Sequence, residues 1–277
     1  MLHRVRADRG SELARVCLRA LALTTALLAA RAGAQDTRLE PPPAAPSARE
    51  LAERVERTFR GDASFLDATM VVTSPRLPEP RRVRFQSWDD RAGKRSFIRI
   101  LEPAKDRGVG FLKLAPNLWS YVPRVEKTIR IPPSMMLQPW MGSDFTNDDL
   151  VRESSVLDDY EHRWLGIDPN YQGARAFVIE YRPREGAPVV WGRIVAWIDP
   201  SRLAPLRQEY FDEAGERLRV MTLGDFRDVG GRSYPHRWSM VPLDKQGHET
   251  AIEVNEIRFD EEFDAEIFTQ RNLTRRE

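Results

Sequence analysis

Thiols are almost missing from this chain: of 277 residues one, Cys17, is cysteine. A single thiol excludes an internal disulfide framework and a thiolate zinc cluster, so stability has to come from burial of apolar surface. Histidine is scarce too, and His162, His236 and His248 lie too far apart in sequence to write a local zinc pair. Neither sign of charge is in excess, with 43 Lys and Arg against 42 Asp and Glu. That balance removes the electrostatic footprint of a nucleic-acid-binding protein. A long apolar helix is missing as well: the run Ala20–Ala30 falls short of the roughly 20 residues a spanning helix needs.

What surrounds that run is informative. Arg4, Arg6, Arg9, Arg15 and Arg19 precede it, and Ala32-Gly33-Ala34 follows it. A basic start, a short apolar stretch and small residues at the exit are the features of a cleaved export signal. Residues 1–34 are therefore expected to be removed after Ala34, placing the mature chain in the periplasm. Cys17 lies upstream of the apolar run, where lipidation would not occur, and leaves with the leader. The leader carries six arginines against Asp8 and Glu12, so the mature chain drops to a net charge of about −3.

Residues 35–48 begin as a Pro-rich stretch, QDTRLEPPPAA, with little to bury, and are expected to form a disordered linker. A single domain is expected over 49–277. Ser47 and Glu50 fit a capping box, and Leu51, Val55 and Phe59 then recur at helical spacing until Gly61. Almost everything afterwards alternates at period two. Candidate strands are 65–74, 81–88, 95–101, 109–114, 118–122, 127–131, 160–165, 175–181, 189–198, 206–211, 217–223, 234–241 and 250–259. Turn chemistry connects them at Asp89–Gly93, Ala115-Pro116-Asn117, Asp168-Pro169-Asn170, Glu213-Ala214-Gly215 and Asp244–Gly247. Short connections make neighbours antiparallel, and cumulative twist forces so long a meander to curl. A membrane barrel would show lipid an apolar residue at every second position. Here the outward sets read Arg95, Phe97, Arg99 and Arg217, Arg219, which favours a water-facing surface. Gly108 and Gly110 are read as allowing a bend or bulge where the sheet curls.

The search for catalytic groups returns little. Asp144, Asp148 and Asp149 miss the calcium-loop spacing and read as a helix start capped by Thr146 or Asp144. No serine stands in a G-x-S-x-G setting and no Gly-rich loop precedes a helix. Neither a catalytic residue, a metal ligand nor a cofactor site is expected. Of the tryptophans, Trp191 and Trp197 share a strand face with Val189 and Val195 and read as core.

The segment Phe97–Leu150 is the most specific part of the chain. Between Pro132-Pro133 and Pro139 and just beyond, Met135, Met136, Leu137, Trp140, Met141 and Phe145 gather without helical or strand period. Flexible thioethers and broad aromatics suit a surface that adapts to an apolar partner. Trp119, Tyr121, Met135, Met136, Trp140, Met141 and Phe145 are thus the expected cavity or lid residues, plain core being the other reading. Trp119, Tyr121 and Pro123, followed by W-M-G-S-D-F-T-N-D-D-L from Trp140 to Leu150, resemble the outer-membrane lipoprotein-sorting proteins, the LolA/LolB-like group. They are closest to a branch with its own central signature.

That resemblance implies a strongly curved antiparallel sheet, an incomplete β-barrel of about 11 strands, with a short N-terminal helix and a helix or loop lid over the concave face. It further implies a periplasmic carrier of lipid or lipoprotein acyl chains, loaded by an inner-membrane transporter of the RND or ABC type and touching membranes only transiently. Two alternatives stand beside it: an accessory or scaffold subunit of such a transporter, and an exported hydrolase using Asp144, Asp149 and His162.

Overall fold

The computed structural model describes residues 39–151, 156–187 and 189–275. The expected leader over 1–34, with Cys17 and the cleavage position, lies outside them. Among the described residues no helix is long and apolar enough to cross a membrane.

Ser47 accepts a hydrogen bond from the Glu50 backbone while Glu50 reaches back to the Ser47 N–H, so the capping box forms and starts helix α1, Ala48–Arg60. Gly61, at φ +66°, ends it where an L side chain would be strained. Leu51 and Val55 are buried along the expected stripe and Phe59 continues it.

Thirteen strands follow among the described residues, one for each candidate strand of the sequence and two more than the resemblance implies: β1 Ala63–Thr73, β2 Arg81–Asp90, β3 Arg95–Glu102, β4 Gly110–Leu114, β5 Asn117–Val122, β6 Lys127–Ile131, β7 Tyr160–Tyr171, β8 Ala174–Pro183, β9 Arg193–Asp199, β10 Ala204–Phe211, β11 Arg217–Val229, β12 Arg232–Pro242 and β13 Glu249–Phe259. All join one antiparallel sheet in the order β6-β5-β4-β3-β2-β1-β13-β12-β11-β10-β9-β8-β7. The short helices α2, Asn147–Val151, and α3, Gln270–Leu273, complete the set. The sheet is open and curved, as the period-two reading anticipates.

One consequence of this order positions the site. β6 and β7 are the two edges of the sheet, yet they are consecutive along the chain. The connection 132–159 must therefore lead from one edge to the other, and it carries the Met/Trp signature. Pairing β1 with β13 closes the middle of the sheet and leaves this connection at its open side.

Four expectations need correction. Asp168-Pro169-Asn170 is not the hairpin turn. Asp168 still pairs with Ala176, a bulge absorbs the next two residues, and the turn falls at Gln172-Gly173. Trp191 and Trp197 do not share a strand face. Trp191 precedes β9 and is buried in the main core, whereas Trp197 packs on the opposite face with Val178, Val195 and Phe211. Arg99 and Arg219 are buried instead of water-facing, for reasons given below. Residues 39 and 40 depart from the disordered linker: Glu40 exchanges backbone hydrogen bonds of 2.8 and 2.9 Å with Ile167, and Leu39 packs beside Val178.

Candidate hydrophobic site beneath the flap

The inner face of the sheet carries the main core. Ala68, Met70, Val83, Phe85, Ile98, Ile100, Ile179, Ala196, Ile198, Met240 and Ile252 alternate onto it, and α1 lies against it, touching β7, β10 and β12. The first part of the connection 132–159, the flap 132–151, seats on the same face through three side chains. Met136, Trp140 and Phe145 are all buried, Trp140 completely. The Trp140 ring meets Phe85 edge-on at 5.4 Å and Phe111 at 5.6 Å. Met141 is partly buried against the same cluster, while Met135 is 45% exposed and Leu137 50%.

The structure thus divides the expected lid residues. Met136, Trp140, Met141 and Phe145 come together on the inner face. Trp119 and Tyr121 do not join them: they point to the outer face, where Tyr121 belongs to a second cluster with Phe97, Leu112, Phe268 and Leu273, and Trp119 packs beside it. Alternation along β5 explains the split, because Leu118 takes the inner side and its neighbour Trp119 the outer. Gly110 has a related reason to be glycine. A Cβ there would stand 2.8 Å from Leu273 Cδ1, so its small size lets α3 settle against β4.

The flap is densely tied. Trp140 N–H donates to the Phe145 carbonyl at 2.8 Å, Ser143 Oγ donates to the Trp140 carbonyl at 2.7 Å, and Asn147 Nδ2 donates to the Met135 carbonyl at 3.0 Å. Thr250 of β13 donates to Asp144 at 2.7 Å. At α2, Thr146 and Asp149 cap each other: the Thr146 backbone donates to the Asp149 carboxylate and the Asp149 backbone to Thr146 Oγ1. The helix start is therefore as expected, with Thr146 as the cap.

The strongest tie went unread in the sequence. Arg219 of β11 donates to both Asp149 oxygens at 2.6 Å, and its guanidinium lies 4.1 Å from the Trp191 ring centre and 4.4 Å from that of Tyr210. Arg219 faces inward because β11 bulges opposite Tyr210/Phe211: Arg217 bonds Glu209 on the outer side, Leu218 is the extra residue, and Arg219 pairs with Tyr210 inside. Burial alone would raise the Asp149 carboxyl. The charge and hydrogen bonds of Arg219, with those from Thr146, hold it below the usual carboxylate range instead.

Between α1, the flap and the inner face lies a cavity of about 130 Å³, walled by Phe59, Leu66, Phe85, Phe145, Trp238 and Ile252 among others. A smaller void of about 50 Å³ adjoins it, sharing Phe59, Asp149, Tyr210 and Met221. Of the residues first singled out for the lid, only Phe145 walls the larger cavity. The others on the inner face plug the space beside it. Phe59 was legible through the α1 stripe, whereas Tyr210, Met221 and Trp238 lie on distant strands that only the sheet brings together.

Each group named for a hydrolase has a protein partner. Asp149 is held by Arg219 and Thr146, and His162 Nε2 lies 2.8 Å from the Val156 carbonyl. Asp144 accepts from Thr250 and lies 3.9 Å from His248 Nδ1, while Ser74 Oγ stands 3.1 Å from His248 Nε2. Among the described residues no group of three or more potential ligands is placed to hold a metal.

A family model described as "Uncharacterized protein" matches residues 92–275. The chain belongs to that family. Its fold is that of the lipoprotein-sorting group. A putative outer-membrane lipoprotein-sorting protein domain from Vibrio parahaemolyticus is 22% identical with a TM-score of 0.72, covering 82% of this chain and 98% of that one. A DUF1329 family protein from Desulfovibrio piger gives 21% and 0.73 over 82% and 97%, and a LolA superfamily protein from Nitrosomonas europaea gives 21% and 0.70 over 82% and 100%. No curated protein matches the sequence. For this family member the resemblance carried by Trp140–Leu150 is borne out at the level of the fold.

Proposed function

We propose that the protein is a periplasmic carrier that shelters the acyl chain of a lipid or lipoprotein between the inner face of its sheet and the flap. The observation that carries this reading is the largely apolar cavity whose wall includes Phe145, a residue of the segment that joins the two sheet edges. The driving force is adequate. Each methylene kept from water contributes about 0.8 kcal/mol, so a long acyl tail gains on the order of 10 kcal/mol.

Size sets the mechanism. Ligand pockets commonly run to ~300 Å³ or more, and the cavity of about 130 Å³ takes only a short stretch of chain while Met136 and Trp140 fill the neighbouring space. Loading therefore requires the flap to lift, withdrawing Trp140 from Phe85 and Phe111 and exchanging protein contacts for cargo contacts. Release is the reverse, driven by an acceptor with higher affinity. The inner-membrane transporter that loads the carrier is part of this proposal.

The test is uptake of a fluorescent acyl probe by the purified protein, with native mass spectrometry for co-purified lipid. Stoichiometric uptake is expected, and Met136→Asp in a folded protein should abolish it. The seated flap favours a second reading, an accessory module whose interior is filled by its own side chains. A folded wild-type protein that takes up no probe and carries no lipid would establish that alternative.

A further inference from the structure

The larger cavity is not uniformly apolar, and its polar part is ordered by strand register. Ser64 of β1 stands opposite Asp89 of β2, which stands opposite Ser96 of β3. The next inward-facing row is Leu66, Ser87 and Ile98, and the one after it Ala68, Phe85 and Ile100. Successive inward rows are two residues, about 7 Å, apart, so within some 14 Å the wall passes from polar to wholly apolar. Ser64, Ser87, Ser96 and Asp89 all line the cavity, as does Arg60 from the last turn of α1.

Charge at this polar end is already matched. Arg60 donates to Asp89 at 2.6 Å and to Glu56 at 3.0 Å, one cation between two carboxylates. The other charged group lining the cavity, Asp149, is held by Arg219. No lysine lines the cavity, and no arginine there is left over for an anion. The three serines differ: among the described residues none of their hydroxyls is engaged by another protein group. Ser96 is buried nonetheless. Hydroxyls that line a cavity and have no protein partner are suited to exchange hydrogen bonds with a guest.

We infer that Ser64, Ser96 and, one row on, Ser87 form a head-group subsite for a neutral, hydroxyl-bearing amphiphile, such as a long-chain glycerol ester. The tail then follows the apolar rows past Leu66 and Phe85 toward Phe145. The inference rests on the carrier reading and narrows its cargo. A phosphate or carboxylate head would meet Asp89 with no free cation to offset it, a like-charge contact that selects against such a head.

Competition for the bound acyl probe tests this, using 1-monooleoylglycerol and oleoyl lysophosphatidic acid, which share one tail and differ in the head. The wild-type protein should release probe to the neutral ester at a concentration lower by about ten-fold or more. Ser87→Ala combined with Ser96→Ala should narrow that ratio about five-fold, as expected for lost hydrogen bonds near 1 kcal/mol. Asp89→Asn, which frees one arm of Arg60, should shift preference toward the phosphate ester, and it serves as the second variant should the serine pair fail to fold. Equal competition by the two heads, or preference for the phosphate by the wild type, overturns the subsite while leaving the carrier intact. A protein that binds no probe at all removes both.

Discussion

Arg99 and Arg219 look alike in the sequence, each alternating with aliphatic residues on a strand, and each ends up buried. The routes differ. Arg99 keeps the outward direction that alternation assigns, but the C-terminal segment covers that face, and Arg99 Nη1 donates to the Leu273 carbonyl at 3.2 Å beneath Phe268 and Leu273. Arg219 changes direction, turned inward by a bulge, and meets the flap through Asp149. One arginine anchors a segment through neutral carbonyls at a helix end, the other through a carboxylate in the main core. Covering segments on the two faces are thus held by different chemistry, and the two cavities described above lie on the inner side.

That comparison breaks most visibly at Arg219. Arg219→Ala leaves Asp149 buried without its partner and should destabilise the protein by about 3–5 kcal/mol, measured by urea unfolding. Arg219→Met with Asp149→Leu should recover most of the loss, less about 1 kcal/mol for the forfeited Thr146 cap. Additive effects of the two single changes would show that the ion pair is not what holds the flap.

Arg99→Ala should cost less, about 1.5–3 kcal/mol, since the hydrogen bonds it removes to the Asn272 and Leu273 carbonyls are charge-assisted but go to neutral groups. Hydrogen exchange should rise in 263–275 and remain unaltered in 132–151. Exchange that rises equally in both segments would mean that the two covers open together and that the contrast drawn here is false.

Much of the fold was legible because period two is a physical requirement of a half-buried strand. Lys127–Ile131 falls on its expected bounds and most other strands within a few residues. The helix start at Ser47 was legible for the same local reason, a side chain three residues from its partner. The site was legible only in part. Met136, Trp140 and Phe145 announce a core-seeking segment without strand or helix period, but nothing local says that Trp119 and Tyr121 face the other way across the sheet. The Arg219–Asp149 pair spans 70 residues and depends on one bulged residue, Leu218, which no pattern in the chain marks. Likewise Ser64, Ser87 and Ser96 come together only through the register of β1, β2 and β3.

The smallest effect separates the two covers by pH. The Asp149 carboxyl sits below its ordinary range in the folded protein. A depressed carboxylate contributes stability that is fully present above its unfolded value, about 3.9, and is lost as the pH falls through the lower folded value. Arg219 remains charged throughout, its own proton held more firmly by Asp149. Acid therefore acts on this link through the carboxylate alone, and protonation exchanges a charge-assisted pair for a weaker neutral contact. The Leu273 and Asn272 carbonyls that accept from Arg99 do not titrate in this range. Hydrogen exchange compared at pH 7 and below pH 4, corrected for intrinsic rates, should show the flap 132–151 losing protection before 263–275 does. Loss in the reverse order would mean that some other carboxylate governs the acid response, and that the flap is held chiefly by Trp140 and Phe145.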